Sequence, residues 1–219
     1  MSRESSHRAR ISGEIILSGD ARAAVVSQYG ARQVSPPLNH SFSMKNTVIK
    51  YGLISGALIS LMMILTIPFH DRIGFGTAGL VVGYTTMVLA FLLIYFGVRS
   101  YRDTVGAGTV RFGRALAVGV LIAAVSSACY VATWEVVYFK FMPDFMDKYS
   151  AHVLEQARAS GASEQQIASR KAEMDELSVK YQNPLYNAAL TFMEPLPVGL
   201  IVALISAAVL SRRRKPLAA

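Results

Sequence analysis

The chain has 219 residues, of which 53% are hydrophobic and 16% are charged, and its formal net charge is +8. So small a charged fraction excludes an ordinary soluble domain and favours a single small bundle of membrane helices. The positive charge does not indicate nucleic-acid binding, because the basic residues stand at the ends of apolar runs, where they indicate membrane topology.

Residues 1–43 differ in composition from the rest of the chain. They are rich in Arg, Ser and Ala and show no sustained apolar period, which is typical of a disordered segment. The apolar run Ile15-Ile16-Leu17 is too short for the core of a signal peptide. We therefore expect residues 44–215 to form the membrane domain. They would follow either a flexible cytoplasmic tail or sequence upstream of a functional start at Met44.

Four apolar runs make up most of the remaining chain. Each is long enough to cross the hydrocarbon core of a bilayer as a helix, at about 1.5 Å of rise per residue. The sequence therefore predicts an all-α membrane protein, a four-transmembrane-helix bundle. Its spans are predicted at about 50–69, 76–98, 114–139 and 185–210.

The basic residues are distributed unevenly between the two ends of these spans. One end carries Lys45, Lys50, Arg99, Arg102, Arg111, Arg114 and the cluster 212–215, whereas the short first connection has only Arg72, offset by Asp71. Lys and Arg are retained on the cytoplasmic side of membranes. We therefore expect both termini to be cytoplasmic and residues 140–184 to be extracytoplasmic.

The long connection between the third and fourth spans predicts a helical hairpin over about residues 143–183. Pro143 suits a first helical position, Gly161 suits the end of the first helix, and Ser163 with Gln166 resembles a capping box that opens the second. Each helix carries one apolar stripe, comprising Met146, Tyr149, Val153 and Ala157 in the first, and Ile167, Met174, Leu177 and Tyr181 in the second. These stripes are expected to pack against each other or against the membrane.

Small residues recur four positions apart in all four spans, as Gly52 and Gly56, Gly79 and Gly83, Ala115 and Gly119, and Gly199, Ala203 and Ala207. Such spacing lets helix backbones approach closely within a bilayer. It predicts close packing inside one bundle, with self-association through the same faces as the alternative. The single cysteine, Cys129, is predicted to be a small core residue.

Several long stretches resemble one protein family. They include KYGLISGALIS at residues 50–60, FGRALAVGVLI at 112–122, WEVVYFKFMPDFMDKYSAH at 134–152 and the run from Asn183 to Leu210. From Met44 to Lys215 the chain resembles the bacterial membrane-protein family called domain of unknown function 4199. The resemblance implies a bacterial inner-membrane protein, and it supplies no activity and no catalytic residues.

Two carboxylates, Glu135 and Glu194, lie inside apolar runs, and such groups are functional candidates because they are costly in lipid. Counting residues from the span ends puts both in the outer leaflet, at heights within about 6 Å of each other. Pro195 and Pro197 lack an N–H and should leave two carbonyls, those of Thr191 and Met193, without helical partners. These groups, with Thr133 and Tyr130, would form a polar notch for a proton, a cation or a lipid headgroup. The alternative is structural, with Glu135 reaching the interface and Glu194 bonded to a neighbouring helix.

The sequence predicts no metal, cofactor or catalytic residue. The spacing of His70, Asp71 and His152 matches no metal site, and no phosphate-binding or dinucleotide motif occurs. We therefore expect a non-enzymatic interaction or accessory protein of the inner membrane that contacts the lipid bilayer and binds no nucleic acid, with a protein partner or self-association through the small-residue faces as open alternatives. The alternative is a dimeric proton- or cation-coupled transporter that uses Glu135 and Glu194. An intramembrane enzyme is a third possibility.

Overall fold

The structure is a computed structural model that describes residues 40–212, with side chains from residue 44 onward except those of residues 70 and 71. Disorder was expected for residues 1–43, of which residues 1–39 lie outside the described part and residues 40–43 are helical. The side chains of His70 and Asp71 and the basic residues 213–215 also lie outside the described part. Within residues 40–212 the fold is entirely helical. Its helices are α1 (His40–Thr66), continued by a short 3-10 turn (Ile67–Phe69), α2 (His70–Ile73), α3 (Thr77–Thr104), α4 (Phe112–Phe141), α5 (Phe145–Ala159), α6 (Glu164–Tyr181), α7 (Pro184–Met193) and α8 (Pro195–Leu210).

The prediction of four spans is confirmed. In the described part of the chain, four helical segments are long and apolar enough to cross a membrane, namely Met44–Phe69, Thr77–Thr104, Phe112–Phe141 and Pro184–Leu210. The second span extends further than its apolar run predicts, because the helix continues through the arginines that end the run. There Asp103 forms ion pairs with Arg99, at 3.7 Å, and with Arg102, at 2.7 Å.

The main core lies in one half of the bundle, which we call the basic half because it ends in the arginine-rich connection between the second and third spans. It comprises residues 91–101 of α3, 115–123 of α4 and 203–210 of α8, together with Val48 of α1. Phe91, Ile94, Val118 and Ile122 are fully buried there. The opposite half, which contacts the hairpin, is called the hairpin half.

Small residues bring the helices of the bundle into close contact. A Cβ atom added at Gly52 would lie 2.7 Å from the Val125 Cβ, and one added at Gly56 would lie 2.5 Å from the Cys129 Cβ. Cβ atoms added at Gly119 and Gly199 would each come within 2.9 Å of an alanine Cβ on the facing span. The predicted close packing is therefore confirmed for the first, third and fourth spans.

The small residues of the second span behave differently. A Cβ added at Gly83 would meet no heavy atom within 4 Å, and one added at Gly79 would clash with the carbonyl oxygen of Gly74 in the preceding turn. The prediction that this pair packs against another span is wrong, because spacing alone does not say which face a neighbour covers. The tight glycine of this span is Gly97, whose added Cβ would clash with Ile122 of the third span.

The connection between the third and fourth spans forms the expected helical hairpin from α5 and α6. The capping box is confirmed, since the Gln166 N–H donates to Ser163 Oγ and the Ser163 N–H donates to Gln166 Oε1. Gly161 adopts the left-handed conformation, with φ of 77°, after α5 ends. Pro143 was expected at the first position of this helix, but α5 begins at Phe145. Pro143 therefore lies in the turn before the helix.

The base of the hairpin packs against the spans through aromatic rings. The Phe145 ring lies 4.9 Å from that of Trp134 and 5.3 Å from that of Phe75, in the first connection. On α6, the Tyr181 ring lies 5.1 Å from that of Tyr138. The start of the first stripe and the end of the second therefore meet the third span, and the hairpin lies at the same end of the bundle as the first connection.

Candidate functional site

The fourth span is divided at Glu194, which lies between α7 and α8. Pro195 follows directly and has no N–H to donate to the Thr191 carbonyl. The expectation that this carbonyl is free is wrong, because the Glu194 N–H donates to it at 3.3 Å in a tighter turn. The division places a carboxylate where the regular helix is interrupted.

The Glu194 side chain is joined to the third span by one hydrogen bond. The Tyr130 O–H donates to Glu194 Oε2 at 2.9 Å. A hydrogen bond to a carboxylate is stronger than one between neutral groups, so this contact fixes the two spans together at the break. Among the side chains that the structure describes, no other one donates to this carboxylate and no basic group pairs with it.

Tyr130 and Glu194 line a cavity of about 490 Å³ in the hairpin half of the bundle, which we call the aromatic cavity. Its walls come from all four spans, the first connection and both hairpin helices. Aromatic rings cover the hairpin side, and aliphatic side chains, including Met62 and Leu80, cover much of the rest. The open space beside Gly83 belongs to the same cavity. The arrangement is one carboxylate, itself exposed, that lines a largely apolar and aromatic cavity.

A chain of hydrogen bonds borders the cavity where the hairpin meets the fourth span. The Trp134 indole N–H donates to Tyr181 Oη at 3.1 Å, and Tyr181 Oη lies 3.3 Å from Thr191 Oγ1. Thr191 Oγ1 donates to the Asn187 side-chain oxygen at 3.1 Å, so Tyr181 must be the donor to Thr191. Burial raises the pKa of Tyr181 above its ordinary value, although the hydrogen bond that it accepts from Trp134 opposes the shift, and the phenol therefore keeps the proton that it donates.

Three of the five predicted site residues, Tyr130, Thr191 and Glu194, line the aromatic cavity, and two do not. Thr133 faces the first span, where its Oγ1 lies 2.8 Å from Ser60 Oγ, and it lines a separate apolar cavity. Glu135 is five residues after Tyr130, which turns it about 140° around the helix. Its side chain is half-buried, and its buried Oε1 has no hydrogen-bond partner among the described residues.

The sequence was compared with known families, curated proteins and solved structures. Residues 50–212 match the family model described as "Protein of unknown function (DUF4199)". The chain belongs to the DUF4199 family. No curated protein and no solved structure was found that matches it. The DUF4199 match covers all four spans and the hairpin, and therefore every residue of the aromatic cavity.

Sequence reasoning missed Asn187, which is fully buried in this DUF4199 protein. Besides accepting from Thr191, its side-chain N–H donates to the Tyr181 carbonyl at 3.3 Å. The available signal was an amide inside an apolar run, four residues before Thr191 and so on the same helix face. In the part of the chain whose side chains are described, no group of three His, Cys, Asp or Glu residues could hold a metal ion.

Proposed function

We propose that this protein is a non-enzymatic membrane component that binds an amphiphilic cation in the aromatic cavity. The observation that carries the proposal is the Glu194 carboxylate, which receives one hydrogen bond from Tyr130 and has no basic partner among the described side chains. A carboxylate in an apolar membrane site needs a positive charge or a proton to offset its cost. A ligand cation would supply that charge.

The walls of the cavity support an amphiphile over a small inorganic ion. Trp134, Phe145 and Tyr149 present aromatic rings on one side, and aromatic faces attract organic cations. Methionine and leucine side chains on the other side suit an alkyl group. The volume of about 490 Å³ lies within the range of small-molecule sites, which is roughly 300–1,000 Å³.

The test uses the only tryptophan of the chain, Trp134, which lines the cavity and reports on it by fluorescence. We expect decyltrimethylammonium to change the fluorescence of the purified full-length protein in a saturable way, and decyl sulfate to cause no such change. Glu194→Gln should weaken the binding of the cation about tenfold, because the neutral amide attracts it less. Glu135→Gln is the matched control and should bind as the unaltered protein does. Equal binding of the cation and the anion, or full affinity in Glu194→Gln, would contradict the proposal.

A proton- or cation-coupled transporter is the second candidate, and the break of the fourth span at Glu194 favours it. Interrupted helices commonly line the substrate sites of membrane transporters. The version with two carboxylates has less support, because Glu135 does not line the aromatic cavity. Proteoliposomes loaded with a pH dye distinguish the candidates. A transporter moves protons or the cation across the bilayer and loses this flux in Glu194→Gln, whereas a binding component shows no flux above empty vesicles.

We also propose that the protein lies in a bacterial inner membrane with both termini in the cytoplasm and the hairpin outside. The uneven distribution of Lys and Arg supports this orientation. The helices bring Arg111 and Arg212 to the end of the bundle opposite the hairpin. A phosphatase reporter inserted after Gly161 should be active, because that enzyme requires the periplasm, and one fused after the last residue should be inactive. The reverse result would overturn the orientation.

A further inference from the structure

A second cavity of about 440 Å³ lies at the tip of the basic half, and it shares no lining residue with the aromatic cavity. It is formed by the end of the second span, the connection to the third span, the first turn of the third span and the end of the fourth. Three arginines line it, namely Arg111, Arg114 and Arg212. We call it the arginine cavity.

The arginines at this end of the bundle fall into two groups. Arg99 and Arg102 both pair with Asp103, which offsets part of their charge. Arg111, Arg114 and Arg212 form no ion pair with any described carboxylate, and no described acidic residue lines their cavity. Three arginines therefore line one cavity, and no anion from the described part of the chain neutralises them.

The connection that forms one wall is held by its own hydrogen bonds. The Gly106 N–H donates to the Arg102 carbonyl, and the Gly108 N–H donates to the same oxygen, each at 3.1 Å. Ala107 and Gly108 both have positive φ, of 47° and 85°, which produces a tight reversal before Thr109. A connection fixed in this way keeps Arg111 close to Arg114 and Arg212 without support from a bound ligand.

We propose that the arginine cavity binds a phosphate group, carried either by an anionic lipid or by a soluble molecule. The planar guanidinium matches the phosphate oxygens with two parallel hydrogen bonds, which a halide cannot accept. A phosphate group also offers three acceptor oxygens to the arginines, whereas a carboxylate offers two. Basic pockets between membrane helices at the bilayer surface commonly receive phosphate headgroups. The hydroxyl groups of Thr109 and Ser211 add polar atoms to the walls.

The test is isothermal titration calorimetry on the purified full-length protein in an uncharged detergent. The probes are dioctanoyl phosphatidic acid, inorganic phosphate and, as the control without phosphate, dioctanoylglycerol. We expect saturable binding of phosphatidic acid and none of dioctanoylglycerol. Tight binding of phosphatidic acid alone would identify a lipid headgroup as the source, and equal binding of inorganic phosphate would identify a soluble one.

Two pairs of substitutions distinguish binding by the cavity arginines from attraction by the overall positive charge at this end of the bundle. Arg111→Gln with Arg114→Gln should weaken the binding of phosphate at least about tenfold, because two charge-assisted contacts are lost. Lys45→Gln with Lys50→Gln removes the same charge from lysines that do not line the cavity, and should leave the affinity close to that of the unaltered protein.

Arg111→Lys with Arg114→Lys keeps the charge and removes the bidentate geometry, so it should bind with intermediate affinity. It also serves as the test if the glutamine variant does not fold. The proposal is overturned if neither phosphate probe binds, if the Lys45 and Lys50 variant loses as much affinity as the arginine variant, or if the change to lysine has no effect.

Discussion

In the second span, the buried residues all lie between Met87 and Tyr101, and none lies between Thr77 and Thr86. The same helix is therefore packed tightly in the basic half and stands apart from its neighbours in the hairpin half. Gly97 and Gly83 show the difference at single positions, since one has no room for a side chain and the other faces open space. The basic half is built for close packing, and the hairpin half leaves a space that contains a carboxylate.

The largest expected effect comes from placing a large side chain in the closely packed basic half. In Gly119→Leu, the new side chain would meet Ala203 of the fourth span, including its Cα at 3.2 Å from the added Cβ, so a helix backbone must move. We expect a loss of about 3 kcal/mol in the free energy of unfolding, measured as a lower Tm in mild detergent.

Gly83→Leu is the matched control for this comparison. It makes the same chemical change in a span, but at a position with no heavy atom within 4 Å of the added Cβ. It should keep the Tm of the unaltered protein and reduce the binding of decyltrimethylammonium, because leucine fills part of the aromatic cavity. Equal losses of Tm in the two variants would show that the two halves do not differ as described.

A smaller loss of stability is expected from the polar contacts of the hairpin half. Asn187→Leu removes the acceptor of Thr191 and the donor to the Tyr181 carbonyl, which leaves buried polar groups without partners. Each such group costs about 1–3 kcal/mol, part of which water in the adjacent cavity would offset. We therefore expect a loss of about 2 kcal/mol and faster proteolysis within the hairpin, which this network joins to the fourth span.

A double-mutant cycle checks whether Asn187 and Tyr181 belong to one hydrogen-bond network that joins the hairpin to the fourth span. If the network acts as one unit, Asn187→Leu and Tyr181→Phe together should cost less than the sum of the two single changes, because each breaks the same chain of hydrogen bonds. Additive losses would mean that Asn187 supports the fourth span independently of the hairpin.

The sequence predicts the basic half better than the hairpin half, for physical reasons. Span length and the apolar character of residues such as Phe91 follow from the bilayer, so the four helices are predictable. Which glycine meets a neighbour depends on how each helix is rotated, and Gly79 and Gly83 have the spacing of an interface without forming one. Which residues line the aromatic cavity depends even more strongly on the rotation of each helix. Residue counting gives Glu135 and Glu194 similar heights and puts Glu135 about 140° around the helix from Tyr130, but it does not show which of these two residues faces the cavity.

The smallest expected effect tests whether the surface charges of the hairpin contribute to stability apart from its buried base. Lys180 Nζ lies 2.6 Å from Glu176 Oε1, and this partner lowers the pKa of Glu176 below its ordinary value of 4.5 and raises the pKa of Lys180 above 10.5. The carboxylate therefore stabilises the fold fully above pH 4.5, and this contribution is lost as the pH falls through the lowered pKa. The ammonium contributes fully below pH 10.5 and loses its effect as the pH rises through the raised pKa.

Because both side chains are exposed, Glu176→Gln should change the Tm only slightly at neutral pH and not at all under acidic conditions, where Glu176 is already protonated. A change as large as that of Asn187→Leu would show that the hairpin is held by its surface charges as much as by its buried base.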